Sequence, residues 1–163
     1  MITIDELMTA NPYTLRDNDT LEDARRIMTE RHIRHIPITD DNHHLLGLVT
    51  QRDVLEATDP GSKQQANRVS SSDNIKLSDI MIRNVSVVHQ SESVRQAAIF
   101  LRSHKFGCLP VVSNDRLVGI ITDSDFIDIA INLLEQVDMA EDAVDYEMDS
   151  MDDVELPILE DEL

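Results

Sequence analysis

Two segments of the chain place a hydroxyl and a carboxylate at the same spacing. The sequence reads Gly-Leu-Val-Thr-Gln-Arg-Asp at 47–53 and Gly-Ile-Ile-Thr-Asp-Ser-Asp at 119–125. A Thr followed three residues later by an acid is an N-cap pattern that begins a helix. The same pair can also bind a ribose, because the carboxylate accepts hydrogen bonds from a diol and the hydroxyl donates to ribose or phosphate. The two uses are compatible, so the candidate binding residues are Thr50, Asp53, Thr122 and Asp125.

The glycine that opens each segment indicates that another group lies close to the strand. A residue without a Cβ at a strand leaves room for another backbone, or for a flat ring, to approach closely. We therefore expect either a neighbouring chain segment or a base beside Gly47 and Gly119.

The two segments belong to an internal repeat. Four residues recur 73 positions later and four recur 72 positions later, namely Met8, Asn11, Ala24 and Pro37, then Leu45, Gly47, Thr50 and Asp53. The shift of one falls in a polar turn, where an insertion is tolerated. We divide the chain into a first repeat at 1–58, a Ser-, Gln- and Asn-rich linker at 59–74, a second repeat at 75–134, and a C-terminal extension at 135–163.

Each repeat predicts the element order β-α-β-β-α. The predicted parts are a short extended piece, an amphipathic helix, two apolar runs that form an antiparallel hairpin, and a second helix that begins around the closing Asp. The extended pieces are Tyr13–Leu15 and Val85–Val88, and the capping signals of the first helices are Thr20 with Asp23 and Ser93 with Gln96. One repeat is too small to cover both faces of its sheet. We therefore expect an α/β (α+β) fold in which the repeats pack sheet to sheet about a pseudo-twofold axis and leave two related clefts.

These features together resemble a tandem pair of CBS domains, also called a Bateman module. The resemblance rests on the repeat length, the element order, the Gly-h-h-Thr-x-x-Asp segments, and the hydrophobic-Pro-hydrophobic strands at 36–38 and 109–111. It implies a regulatory module that binds AMP, ADP or ATP in the clefts, with S-adenosylmethionine as a less favoured ligand. It also implies that the Thr and Asp pairs contact ribose, and that backbone around Leu15, Ile36, Val87 and Leu109 holds the base.

Phosphate needs positive side chains, because the chain has no glycine-rich phosphate loop. The first repeat offers Arg34 and His35 before its central proline, and Arg52 between Thr50 and Asp53. The second repeat has Gly107, Cys108 and Ser124 at the matching positions. We therefore predict unequal sites, with phosphate held better near the first repeat. The alternative is that Arg34 and His35 are solvated surface residues.

Composition argues against several classes of function. A net charge of −18 repels nucleic acid and acidic membrane surfaces, and no apolar stretch of about 18 residues is present, so we expect a cytoplasmic protein. The histidines lack the Cys or clustered carboxylates that would complete a tetrahedral metal site. Cys108 lies in an apolar run and is expected to be an inert core thiol. Because no nucleophile and base are paired, we do not expect an enzyme.

The extension is acidic. Residues 135–163 carry thirteen acids and no base. Helical spacing of apolar residues continues from Phe126 to about Val144, while residues 145–163 are predicted to be mobile. Those last residues either solubilise the chain or dock on a basic partner through Leu156, Ile158, Leu159 and Leu163. The resemblance implies a homodimer, and the alternative function is a ligand-free dimeric interaction scaffold whose acidic tail docks a partner protein.

Overall fold

The computed structural model describes residues 1–59, 61 and 75–151. Most of the predicted linker at 59–74 lies outside the described residues, and so does the end of the tail at 152–163 with its predicted docking segment. The structure has mixed α+β architecture, as the sequence predicts. The elements are β1 (Thr9–Ala10), α1 (Leu21–Arg31), β2 (His35–Thr39), β3 (Leu45–Thr50), α2 (Gln51–Thr58), β4 (Val88–His89), α3 (Val94–His104), β5 (Cys108–Ser113), β6 (Arg116–Thr122) and α4 (Asp123–Met151).

Each repeat contains the predicted antiparallel hairpin. Strand β2 pairs with β3 and strand β5 pairs with β6. The register slips at the same place in both, between Ile38 and Thr39 and between Val111 and Val112. The shared irregularity is structural support for the internal repeat.

The opening segments are exchanged between the repeats, which the sequence analysis missed. Strand β1 of the first repeat pairs with β6 of the second, giving a sheet in the order β1-β6-β5-β4. In return, Ile82 of the second repeat bridges to Leu48 in β3. The predicted extended pieces are only partly correct: Leu15 makes a single parallel bridge to Ile38, and β4 begins at Val88 rather than Val85.

The exchange explains the two strand glycines. A Cβ at Gly47 would lie 2.7 Å from Met81 Sδ and 2.8 Å from the carbonyl oxygen of Ile82. A Cβ at Gly119 would collide with the sulfur of Met8 and lie 3.1 Å from the carbonyl oxygen of Thr9. Of the two predicted neighbours, the chain segment is the one present, since the opening segment of the other repeat fills the space.

The helices follow from their caps and apolar faces. Helix α1 begins at the predicted box, in which the Asp23 amide donates to Thr20 Oγ1 at 3.3 Å and the Thr20 hydroxyl donates to Asp23 at 2.8 Å. Helix α3 begins after the predicted N-cap residue Ser93, but Ser93 makes no side-chain cap hydrogen bond, so only the position of that cap is confirmed. Between the repeats, a small buried cluster joins Leu48, Cys108 and Ile120.

Helix α4 is longer than predicted. It continues to Met151 because no Gly or Pro interrupts it before Pro157. Residues 1–125 form one compact unit, and the chain from Phe126 onward forms another. Along α4 several apolar side chains are exposed, including Ile127, Ile131 and Leu134. Among the described helices, none is long and apolar enough to cross a bilayer.

Candidate functional site

A cleft of about 630 Å³ lies between the two repeats. Its volume falls within the range of about 300–1,000 Å³ that is typical of small-molecule sites. The first repeat supplies the strand–helix junction at Thr50–Asp53 and the residues just before β2. The second repeat supplies its opening segment, 82–86, and the residues that lead into β5.

The junction carries the Thr and Asp that the sequence singles out. Thr50 is the N-cap of α2, and its amide and its hydroxyl each donate to Asp53 Oδ2 at 2.7 Å. The hydroxyl proton is therefore used within the cap. No described residue donates to Oδ1 of Asp53, so this oxygen is the acceptor that the junction offers to a ligand.

The equivalent junction of the second repeat has the same local geometry. The Thr122 amide donates to Asp125 Oδ2 at 2.6 Å, and the Thr122 hydroxyl donates to the same oxygen at 3.1 Å. The Asp125 carboxylate thus reaches back to Thr122 as Asp53 does to Thr50, and in the first repeat the Asp53 amide also donates to Thr50 Oγ1, at 3.3 Å. Thr122 and Asp125 do not line the cleft described above.

The structure sorts the predicted site residues into two groups. Five of them line the cleft, namely Arg34, His35, Thr50, Arg52 and Asp53. Four others, predicted to lie near the base, do not line it. Ile36 and Leu109 have fully buried side chains, Leu15 packs on the core of the first repeat, and Val87 is exposed elsewhere.

Sequence reasoning missed the contribution of the second repeat. Phe106, one of only three phenylalanines in the chain, lines the cleft and is 41% exposed. Its ring lies 5.5 Å from that of His104, which in turn stacks on Phe100 at 4.1 Å. The repeat register points to this position, because the equivalent residue, Ile33, also follows the first helix just before the hairpin. Ile33, however, is partly buried against the core of the first repeat.

The charged groups of the cleft are mostly paired. Arg34 Nη2 lies 3.5 Å from Asp123 Oδ1, and Arg52 Nε donates to Glu56 at 2.9 Å. Lys105 ends α3 in a left-handed conformation with φ 56°. Its ammonium forms no ion pair with a described residue, so Lys105 is the cation that a ligand anion meets without displacing a carboxylate.

His35 and Cys108 occupy equivalent positions beside the cleft. Burial, followed by the nearby Arg34 charge, lowers the pKa of His35 and so disfavours the positive charge that the sequence analysis expects of this residue. Burial raises the pKa of the Cys108 thiol to about 12, which is in line with the predicted inert core thiol.

A metal site needs several His, Cys, Asp or Glu side chains close together. Within the described part of the chain, no group of three or more His, Cys, Asp or Glu side chains is placed to hold a metal ion. The groups that line the cleft include hydrogen-bond acceptors, an aromatic ring and cations.

The sequence profile of the CBS domain matches residues 4–59 and 77–132, one match in each repeat. Among solved structures, the chain is similar to an acetoin utilization protein (AcuB) from Vibrio cholerae. The identity is 45% and the TM-score 0.73, over 85% of this chain and 97% of that chain.

Two further solved structures contain adenosine-type ligands. CBSX2, known from Arabidopsis thaliana, was solved in complex with AMP; it is 28% identical, with a TM-score of 0.70 over 82% of this chain and 98% of that chain. The CBS domain pair of protein MJ0100 was solved with 5′-methylthioadenosine and S-adenosyl-L-methionine; it is 26% identical, with a TM-score of 0.69 over 81% of this chain and 98% of that chain. The chain spans only about a quarter of the length of several curated relatives that it matches.

Proposed function

The chain belongs to the CBS-domain family, and from that premise we propose that it is a regulatory module, not an enzyme, that binds an adenine nucleotide in the cleft between its repeats. The observation that carries the proposal is the composition of this cleft. One repeat contributes a carboxylate with an open acceptor, and the other contributes an exposed aromatic ring and an unpaired cation. AMP bound by CBSX2, and the adenosine compounds bound by the MJ0100 pair, support this class of ligand.

Asp53 is the proposed ribose contact. A carboxylate accepts both hydroxyls of a ribose diol, and hydrogen bonds to charged groups are stronger than those between neutral partners. The cap interaction through Oδ2 fixes the carboxylate, so its second oxygen is presented by a rigid junction.

Phe106 is the proposed base contact. An exposed ring beside an apolar wall offers a stacking surface, and aromatic stacking contributes about 1–3 kcal/mol for each base in other nucleic-acid sites. The same cleft is also lined by the apolar residues Leu48, Ile82 and Val85. The base is thus proposed to lie against the second repeat and the ribose against the first.

Phosphate binding is assigned to Lys105 first, and to Arg34 second. Because Arg34 and Arg52 already face carboxylates, the cleft has one cation without an anionic partner among the described residues. This balance favours AMP over ADP and ATP.

The test is the substitution Asp53→Asn, with the affinity for AMP, ADP, ATP and S-adenosylmethionine measured by calorimetry, and GTP as a specificity control. An amide keeps one oxygen for the Thr50 cap but replaces the ribose acceptor with a donor. We expect AMP affinity to fall at least tenfold, the range for one or two lost hydrogen bonds to a charged group.

The matched control is Asp23→Asn. Asp23 forms the same capping box with Thr20 at the start of α1, yet it does not line the cleft. Both variants should lose similar stability, while only Asp53→Asn should lose affinity. Equal affinity losses in the two variants would reduce the role of Asp53 to capping.

The second candidate is a ligand-free dimeric scaffold. The exposed apolar side chains of α4 favour it, since a row such as Ile127, Ile131 and Leu134 suits contact with another protein surface. Absence of binding for every adenosine ligand at millimolar concentration, together with a dimeric mass in solution, would select this function instead.

A further inference from the structure

Arg34 reaches from the first repeat to the start of α4 in the second. Its Nη2 lies 3.5 Å from Asp123 Oδ1 and 3.4 Å from Ser124 Oγ. The Asp123 carboxylate is itself fixed, because its Oδ1 accepts a hydrogen bond from the Ser124 amide at 2.9 Å. Arg34 and Asp123 both line the cleft, and their side chains are 55% and 50% exposed. A ligand in the cleft therefore meets the two charges together.

We propose that Asp123 determines the specificity of the cleft: its carboxylate is an internal anion that occupies Arg34 and selects against ligands of high negative charge. This inference rests on the proposed function, because it concerns the ligand of the same cleft. It names the ligand class as adenosine compounds that carry little negative charge, the monophosphate before the di- and triphosphate.

The charge balance of the cleft supports this role. Its lining contains three cations and three carboxylates, namely Arg34, Arg52 and Lys105, and Asp53, Glu56 and Asp123. A phosphate that pairs with Arg34 must displace the Asp123 carboxylate or lie beside it. The resulting repulsion grows with each unit of ligand charge and is absent for a neutral nucleoside.

The backbone does not require an acid at this position. The Asp123 amide donates to the Gly107 carbonyl at 3.0 Å, and in the first repeat the Gln51 amide donates to the Arg34 carbonyl at 2.8 Å. The same strand–helix junction therefore forms with a neutral residue. An acid in the first turn of a helix also stabilises the helix dipole, so the test must separate affinity from stability.

The experiment compares the intact protein with Asp123→Asn for adenosine, AMP, ADP and ATP at low ionic strength. We expect adenosine affinity to stay within about twofold, AMP affinity to rise about threefold, and ATP affinity to rise about tenfold or more, as expected for unit charges several ångströms apart near a protein surface. The gain should shrink in high salt. Asp41→Asn is the control, because it removes one exposed charge that does not line the cleft.

Several outcomes would overturn the inference. One is an equal change for adenosine and ATP, and another is the same gain in the Asp41 control. Inorganic pyrophosphate, which has neither base nor ribose, is titrated in parallel. If no adenosine ligand binds but Asp123→Asn still strengthens pyrophosphate binding, the proposed function fails and the role of Asp123 stands. If adenosine and AMP bind but Asp123→Asn changes the affinity of no ligand according to the charge of that ligand, the role of Asp123 is rejected. It is also rejected if neither pyrophosphate nor any nucleotide binds to either protein.

Discussion

The two repeats share a backbone and differ in the side chains that they present to the cleft. The residues before each hairpin are equivalent: Arg34 and His35 in the first repeat match Gly107 and Cys108 in the second. In each repeat the residue before the hairpin accepts a hydrogen bond from the first amide of the following helix: Arg34 from Gln51, and Gly107 from Asp123. Arg34 and Arg52 therefore come from the first repeat, while Lys105, Phe106 and Asp123 come from the second. The residues that the two repeats share encode the frame and the Thr50–Asp53 junction, and the residues in which they differ supply the ring and the cations around it.

The largest expected effect concerns the exchanged opening segments. In Gly47→Ala the new Cβ would lie 2.8 Å from the carbonyl oxygen of Ile82, which is held by pairing with Leu48. We expect the free energy of unfolding to fall by about 1–3 kcal/mol, as for other overpacked sites. Urea unfolding followed by circular dichroism measures it.

The matching variant Gly119→Ala should be milder. The nearest backbone oxygen, that of Thr9, is 3.1 Å away, and the other neighbour is the flexible side chain of Met8. If Gly119→Ala lowers the free energy of unfolding as much as Gly47→Ala or more, the distance from the new Cβ to the backbone of the exchanged segment does not determine the destabilisation.

Much of this frame could be predicted from the sequence. The hairpins, the first helix of each repeat and the Thr20 and Thr50 caps follow from local patterns of apolar residues and hydroxyl–carboxylate spacing. The exchange could not be predicted, because a two-residue strand such as Thr9–Ala10 has no periodicity and its partner is distant in sequence. The glycines indicated a close approach but not which segment makes it.

The next effect uses Cys108 and alkaline pH. Burial raises the pKa of the thiol from its ordinary value of 9.0 to about 12 in the folded chain. Its contribution to stability is therefore present below pH 9 and is lost as the pH rises toward 12, by up to about 1.4 kcal/mol per pH unit. The stability difference between the natural chain and Cys108→Ala should narrow from pH 7.5 to pH 10.5. Parallel pH profiles for the two proteins would contradict the burial of this thiol.

The smallest effect belongs to the equivalent His35 and has the opposite sign. Its folded pKa is lowered below the ordinary histidine value of 6.5, mainly by burial and then by Arg34, while Asp123 and Asp53 act in the opposing direction. The contribution of neutral His35 to the free energy of unfolding is therefore fully present above pH 6.5 and is lost as the pH falls through the folded pKa. His35→Gln should flatten the acid side of the curve of melting temperature against pH between 7.5 and 5. An unchanged slope would show that His35 carries its proton equally well in the folded chain.

The site was less predictable than the fold. Thr50, Asp53 and Arg34 could be named, because residue type and motif spacing mark them. Phe106 and Asp123 could not, since their importance arises only where the second repeat meets the first. The lowered pKa of His35 could not be predicted from residue type, because the burial that contributes most to it depends on packing in the fold. Gly107 is part of that packing, since a Cβ at this position would lie 2.8 Å from His35 Nε2.

The pairing of β1 with β6 also has a consequence for the biosynthesis of the protein. A chain is made from its N-terminus, so Thr9 has no strand partner until Ile120 has left the ribosome. The sheet of the first repeat likewise waits for Ile82. The sheet of the first repeat can therefore be complete once Ile82 has emerged, whereas β1 stays unpaired until β6 has been made. The nascent chain carries this unpaired opening strand through most of the synthesis of the two repeats.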